Sequence, residues 1–395
     1  MKKTFGVSLF LAMALCLLLV VTTGCKKESA EESSIIEIIE TTVQEDSSKE
    51  EKEESSVLRE ESEQNSSEES SQESSKPEDP IEQLLKNTIH DPNMNPLTGE
   101  IEDHVVSDKR PVAFSINNHP DAVPPVGISE ADILFEAIVE GGATRMMAIF
   151  QEVPYNDIPI GSIRSLRHSY IDFAACYDAI IVHCGCSDIA TNALERRGYA
   201  DIDAISWAGG LFYRDPWRDS NMGYVHSLVT TGIEINDFLA NDAPYRTEHE
   251  PDYACNMYFS EDPVVVNGEV LTTIDVFFGD YRHSIFTFDA ESNDYTMEEY
   301  GQVYIDYETD EPIHFKNLVI IRTDVWECDG VGHQDMELTG EGEAWFCVNG
   351  VYAPIKWSRT DEDAQFVFTY SDGTPVIFGV GKTYIAVVDL GGGIE

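Results

Sequence analysis

TRMMAIFQEVPYNDIPIGSIRSLRHSYIDFAACYDAIIVHCGCS, residues 144–187, is the stretch whose reading decides the fold. Residues 146–150 and 179–182 are continuous apolar runs of strand length. Between them, 166–175 predicts a helix with Ser165 as its N-cap and Ile171, Phe173, Ala174 and Ala175 on its buried side. A second helix is predicted over 188–197. Strand, helix, strand, helix with short joins indicates α/β layering.

Upstream, ILFEAIVE (133–140) alternates Phe135, Ala137 and Val139 with Glu136, Ile138 and Glu140. The Gly141-Gly142 pair permits a tight reversal, so this strand and the next are expected to pair antiparallel. PVAFSIN (111–117) reads as a buried strand that empties into Asn117-Asn118-His119-Pro120. Polar residues at such a strand end line the ligand crevice of many open sheets. Residues 81–90 read as a short helix, and 121–127, with Pro124 and Pro125, as a non-helical loop. Downstream, 198–232 is irregular, which is common for binding loops, and ends at the cap Thr231 before a helix over 234–240.

From about Asp252 onward, short β-rich runs at 258–259, 264–266, 272–278, 284–288, 303–307, 318–323, 344–348, 366–370 and 383–388 alternate with turns. Asn267-Gly268, Asn349-Gly350 and Asp372-Gly373 are hairpin signals. The fold expected is an α/β (α+β) N-terminal domain with a mixed sheet over 95–250, followed by a mostly antiparallel β domain over 252–395.

The amino terminus carries Lys2 and Lys3, an apolar run over 9–21 and then Thr22-Thr23-Gly24-Cys25, the order of a secretion signal. A small residue before Cys is where a bacterial lipoprotein signal is cut, with Thr22 standing where leucine is usual. The expectation is a signal peptide over 1–25 and acyl chains, palmitate among them, on Cys25. An uncleaved anchor and plain secretion are the alternatives, and all three place the rest outside the cytoplasm. Residues 26–80, mostly Ser and Glu, read as a disordered acidic tether, with one apolar patch at 35–39.

Composition excludes one class of partner. With 73 acidic against 25 basic residues and a net charge of −48, the chain repels phosphate backbones, so nucleic acid is not its partner and membrane contact comes through the lipid. Beyond Cys25 there are six cysteines, Cys176, Cys184, Cys186, Cys255, Cys328 and Cys347, open to three readings: free thiols, bridges, or a metal. Cys184 and Cys186 would share one side of a strand, where bridging is strained. No spacing typical of zinc accompanies them, so neither metal nor cofactor is assigned.

In so acidic a chain, Arg145, Arg164, Arg167, Arg214 and Arg218 stand out. They read either as a forked clamp for a carboxylate or phosphate, or as structural partners of Glu136, Glu140 and Asp172. Glu136 and Glu140, four apart on a strand, share a side and are candidates for acid–base cleavage of a glycan. His183, with Ser187 four residues on, is a candidate base or a structural histidine, and His226 is open to the same two readings.

The motifs at 111–120, 129–150, 161–172, 179–187 and 218–232, followed by 316–322, 338–345, 354–357 and 373–388, resemble the YerB-like family of bacterial lipoproteins. The likeness spans nearly everything after about Asn95. It implies that the recurrent polar positions are Asn117, Asn118, Glu136, Glu140, Arg145, Arg164, Ser165, His183, Ser187, Arg214, Arg218 and His226. Cys184 and Cys186 depart from the family's small residues, and Ser227 from its Asn. The expected function is a membrane-anchored, extracytoplasmic lipoprotein that binds an anionic envelope ligand or a protein partner. The binding residues would be Asn117, Asn118, Arg145, Arg164, Ser165, Arg167, Ser187, Arg214, Arg218 and His226. The alternative is an enzyme acting on a wall polymer through Glu136, Glu140 and His183.

Overall fold

The computed structural model describes residues 80–206, 210–263, 265–279 and 282–395. The signal, the lipid site at Cys25 and the acidic tether expected up to residue 79 lie outside the described residues. Among the described residues no helix is long and apolar enough to cross a membrane.

In chain order the first part comprises α1 (Pro80–Lys86), β1 (Val112–Asn117), β2 (Ile133–Ile138), β3 (Thr144–Phe150), β4 (Pro159–Gly161), α2 (His168–Ala175), β5 (Ile180–His183), α3 (Asp188–Arg197), β6 (Asp201–Asp203), β7 (Tyr213–Arg214), α4 (Pro216–Met222), β8 (Leu228–Thr231) and α5 (Gly232–Asn241). From there to the C-terminus the described chain is strands and turns. β2 and β3 pair antiparallel as expected, across a reversal in which Gly141 and Gly142 take φ of 69° and 77°, a conformation open to glycine at little cost. Asn349-Gly350 closes a two-residue hairpin in which both residues have positive φ, the signature of a type I′ turn.

One mixed sheet runs through both parts of the chain. Its order is Glu269–Val270, Val351–Arg359, Gly340–Val348, Asn317–Thr323, Thr383–Asp389, β2, β3, β1, β5, β6. The last long strand, Thr383–Asp389, lies parallel to both Asn317–Thr323 and β2, so it joins the C-terminal strands to the N-terminal ones. A second sheet, built antiparallel from Thr273–Gly279, Arg282–Asp289 and Asp294–Glu299, stands apart from it in the hydrogen-bond ladder.

Alternation along the central strands divides the core in two. Phe135, Ala137, Met147 and Ile149 face α2 and α3, where Phe135 stacks on Phe173 with centroids 4.7 Å apart. Leu134, Met146, Ala148 and Tyr384 face the other way, toward α5 and the second sheet. The result is helices, large sheet, then second sheet with α5.

Within the second core a polar knot is buried. Glu136 is fully buried and its Oε1 accepts from Asn118 Nδ2 (3.1 Å), Thr144 Oγ1 (2.5 Å) and Arg282 Nη2 (2.5 Å). Its Oε2 accepts from Tyr384 Oη (2.8 Å) and Ser284 Oγ (3.0 Å). Glu299, also fully buried, faces the same Arg282 and lies 2.6 Å from Ser284 Oγ. Two carboxyls share one guanidinium. Burial and the neighbouring Glu136 push Glu299 well above the usual carboxylate range, against the pull of Arg282. Burial works against the Arg282 charge, but the two glutamates outweigh it and hold the guanidinium protonated.

Several expectations are corrected here. The helix begins at His168, not 166, and the residue at its N-cap position is Arg167, with no side-chain cap bond; Ser165 is not the cap. Residues 164–166 stay extended because Arg164 N bonds Ser115 O and Leu166 N bonds Gly185 O, pairings that outcompete a first helical turn. Glu140 leaves the strand in a 3₁₀ turn, so it does not share a side with Glu136. Cys184 packs on one core and Cys186 on the other, because β5 ends at His183 and Gly185 turns at φ 65°. All six described cysteines are free. Pro120–Ala122 forms a 3₁₀ turn inside the loop expected to be non-helical. Of 303–307 only Val303 is in a strand, and after Asn267-Gly268 the chain pairs with Val351–Tyr352 rather than with 264–266.

The knot yields a test by thermal or denaturant unfolding. Arg282→Met strands a buried carboxylate and should cost about 3–5 kcal/mol. Glu299→Gln replaces a carboxyl that burial already drives toward its neutral form and should cost less, about 1 kcal/mol. Equal losses would refute the upward shift of Glu299.

A second buried carboxyl predicts a pH dependence. Asp132 accepts from Asn95 Nδ2 (3.1 Å) and Gln151 N (2.5 Å), and burial pushes it up to about 7. Because its folded value lies above the unfolded one, its contribution is present below about pH 4 and is lost as pH rises through about 7. Unfolding of Asp132→Asn across pH 4–7 should therefore show a shallower decline in stability than wild type; parallel curves would remove Asp132 from the account.

Candidate functional site

The strand ends named by the sequence split between the two faces of the sheet. β1 and β3 pair with Asn117 opposite Arg145, and β2 and β3 with Glu136 opposite Met146. Arg145 and Asn117 therefore project from the face bearing α2, whereas Glu136, Thr144 and Asn118 project into the polar knot. Asn118 bonds Glu136 and Thr144 and accepts from Tyr304 Oη (2.9 Å). It is a buried brace, not an open ligand group.

Four of the five arginines gather on the α2 side. Arg145 is buried, and its guanidinium donates to the Ser165 carbonyl. Burial, with Arg167 beside it, brings its pKa down to about 10, so it remains charged at neutral pH. Arg164 feels the charges of Arg167 and Arg214, donates Nη1 to Val225 O (2.9 Å), and leaves its buried Nε without a partner. Arg214 donates to Tyr224 O (2.7 Å), and its guanidinium lies 4.0 Å from the Tyr224 ring centroid. Arg167 alone has a carboxylate partner, Glu140. Burial opposes ionisation of Glu140, and the hydrogen bond and charge of Arg167 outweigh it, holding the carboxyl below its ordinary range. Among the described residues, Arg145, Arg164 and Arg214 make carbonyl or ring contacts and no ion pair. Four positive charges thus share one carboxylate.

Beside them stands His226. Its Nδ1 lies 2.7 Å from Asn117 Nδ2 and its ring is stacked on His119 at 5.4 Å. Burial, then the Arg164 charge, lowers its pKa. The Nδ1 contact makes that nitrogen the acceptor and leaves Nε2 as the free one. His119, Asp121 and His226 can bring three ligand atoms within 4.8 Å of one another. The two rings are near parallel, and Arg164 and Arg218 add positive charge, so the surroundings favour an anion over a cation there.

The remaining candidates lie elsewhere or have other work. Arg218 is buried and donates to the carbonyls of His226 (3.2 Å), Pro124 (2.9 Å) and Ala122 (2.9 Å), clamping two loops together. Ser187 caps α3 by accepting from Ala190 N (3.3 Å). Ser165 offers its carbonyl to Arg145. Asp172, a suggested partner of the cluster, pairs instead with Arg197 (2.7 Å). His183 is buried, with Nδ1 2.9 Å from Gly185 O and Nε2 3.0 Å from Asp201 Oδ2, so neither nitrogen is open to a substrate. Burial raises the Cys184 thiol. Sequence reasoning missed Arg282, which neutralises Glu136 from 146 positions away, Glu299, which shares that guanidinium, and His333, whose Nε2 lies 3.2 Å from Glu140. It also missed Tyr224, although that residue sits in the irregular segment 198–232, and it named His119 only as part of the polar strand end.

Comparison with known proteins matches this arrangement to a described family. Residues 97–245 match the N-terminal domain, and residues 274–385 the C-terminal domain, of the protein family of unknown function DUF3048. The putative lipoprotein YerB of Bacillus subtilis (strain 168) is 28% identical over 295 residues, covering 74% of this chain and 85% of that protein. The crystal structure of the Bacillus subtilis YerB protein superposes with a TM-score of 0.66 at 27% identity, covering 76% of this chain and 99% of that one. The mixed central sheet and the mostly antiparallel C-terminal strands are thus the YerB fold, and the chain belongs to the DUF3048 family.

Proposed function

We propose that this protein is an extracytoplasmic lipoprotein, held to the membrane through lipid on Cys25, which uses its arginine-lined face to bind an anionic ligand of the cell envelope. The signal-like segment before Cys25 and the homology to a putative lipoprotein support the anchoring. One observation carries the binding: Arg164 lies within electrostatic reach of Arg145, Arg167 and Arg214, and among the described residues Glu140 is the one carboxylate paired with any of them. Like charges gathered at this density cost energy that a bound anion recovers. Binding without turnover is favoured over wall-polymer hydrolysis because Glu136 is locked among five donors on the opposite face, and His183 has no free nitrogen.

Titration calorimetry with sulfate tests this reading. Arg164→Ala should weaken sulfate about tenfold or more, the scale of one charge-assisted hydrogen bond, with unfolding unchanged. Equal affinity in wild type and variant would return the arginines to a structural role. Purified wall fragments incubated with the protein and followed by mass spectrometry should remain intact; cleavage lost in Glu136→Gln would overturn the non-enzymatic reading.

The site also predicts a pH trend. His226 is faced by Arg164, Arg218, His119 and Asp121, and its pKa is lowered in the free protein. A bound anion raises that value, so binding takes up a proton and sulfate affinity should rise as pH falls from about 8 to about 6. The slope should shrink in His226→Gln; a flat wild-type profile would exclude His226 from the site.

A further inference from the structure

Resting on that reading, we infer that the ligand is a compact, multiply charged anion, a phosphomonoester or diphosphate borne on an uncharged carbon skeleton, rather than an extended polyanion. Three observations lead there. The first is charge density: four guanidinium groups and one carboxylate leave an excess that a single monoanion does not balance. Forked donors of this kind match phosphate oxygens, and two adjacent phosphates supply enough acceptors for several arginines.

The second is the border of the patch. Exposed Asp121 lies beside His119, and Asp203, which shares the surroundings of Cys184 with Arg214 and Arg164, accepts from Gly185 N (2.7 Å). The chain as a whole carries a net charge of −48. A polymer with charges at regular intervals would leave the arginines and run over this acidic surface, whose repulsion reaches about one Debye length, roughly 8 Å at physiological ionic strength. A ligand whose charge ends within the patch avoids that repulsion.

The third is what flanks the arginines. Tyr224 and Val225 are 64% and 53% exposed, while their carbonyls hold Arg214 and Arg164. The turn that fixes two of the cations therefore also presents a ring and an aliphatic side chain to solvent. Those groups suit an uncharged skeleton next to the phosphate, whether sugar or lipid.

The test uses the full chain and calorimetry with inorganic sulfate, inorganic pyrophosphate and long-chain polyphosphate. Pyrophosphate should bind at least about tenfold tighter than sulfate and lose at least about tenfold in Arg214→Ala, and polyphosphate should bind no tighter per molecule than pyrophosphate. Sulfate binding with no gain for pyrophosphate would overturn this inference and leave the anion site standing. Polyphosphate binding far tighter than pyrophosphate would overturn it in favour of an extended polymer. Failure of all three probes would remove the anion site itself. Once pyrophosphate binds, sedimentation with phosphatidylcholine vesicles containing phosphatidic acid, lost in Arg214→Ala, assigns the skeleton to a lipid. Binding of glucose 1-phosphate without sedimentation assigns it to a soluble phosphate.

Discussion

The pairing of Glu136 with Arg282 is the constraint on which the rest of the molecule depends. One partner comes from the second strand of the chain and the other from a hairpin 146 residues later, and neither can be left alone at this depth. The attraction also recruits Thr144 and Asn118 from the N-terminal strands and Ser284, Tyr304 and Tyr384 from the C-terminal ones. A network with so many donors on one carboxylate has few alternative packings. It therefore fixes the second sheet against the large one, while within the large sheet Thr383–Asp389 joins the two parts of the chain by backbone pairing.

That knot has a consequence for the opposite face. Asn118 is drawn inward, and its neighbour Asn117 is thereby turned outward to meet His226. Arg145, Arg164 and Arg214 are then held by groups that carry no full charge: the Ser165, Val225 and Tyr224 carbonyls and the Tyr224 ring. Carbonyls orient guanidinium groups without cancelling them. A ligand arriving there meets donors already in place and is spared part of the ordering cost of binding.

Local pattern made much of the fold legible. Glycine pairs, strand-length apolar runs, the cap Thr231 and the Asn349-Gly350 turn are short-range signals, and the elements they mark are present. The cap at Ser165 failed because backbone pairing with Ser115 and Gly185, which no local rule can see, kept 164–166 extended. Joining the C-terminal strands to the N-terminal sheet was illegible for the same reason: the contact between Thr383–Asp389 and β2 is long in sequence. The membership of the arginine cluster was legible for four residues out of five. Arg218 differs because a buried guanidinium can be satisfied entirely by carbonyls, and composition does not distinguish that use from ligand binding.

The separation of Glu136 from the arginines follows from parity alone. In an antiparallel pair, residues opposite one another share a face, and Glu136 is opposite Met146, one residue beyond Arg145. Once the Gly141-Gly142 reversal fixes the register, the two charges must point to opposite faces, and the arginines must look elsewhere for a counter-ion. Among the described residues they find Glu140 alone, which His333 of the C-terminal hairpin also contacts. The C-terminal strands thus hold the site from two directions, through Arg282 behind the sheet and His333 in front of it. The two matched segments consequently build one structure: removing the later one would unbury Glu136 and leave Glu140 to Arg167 alone.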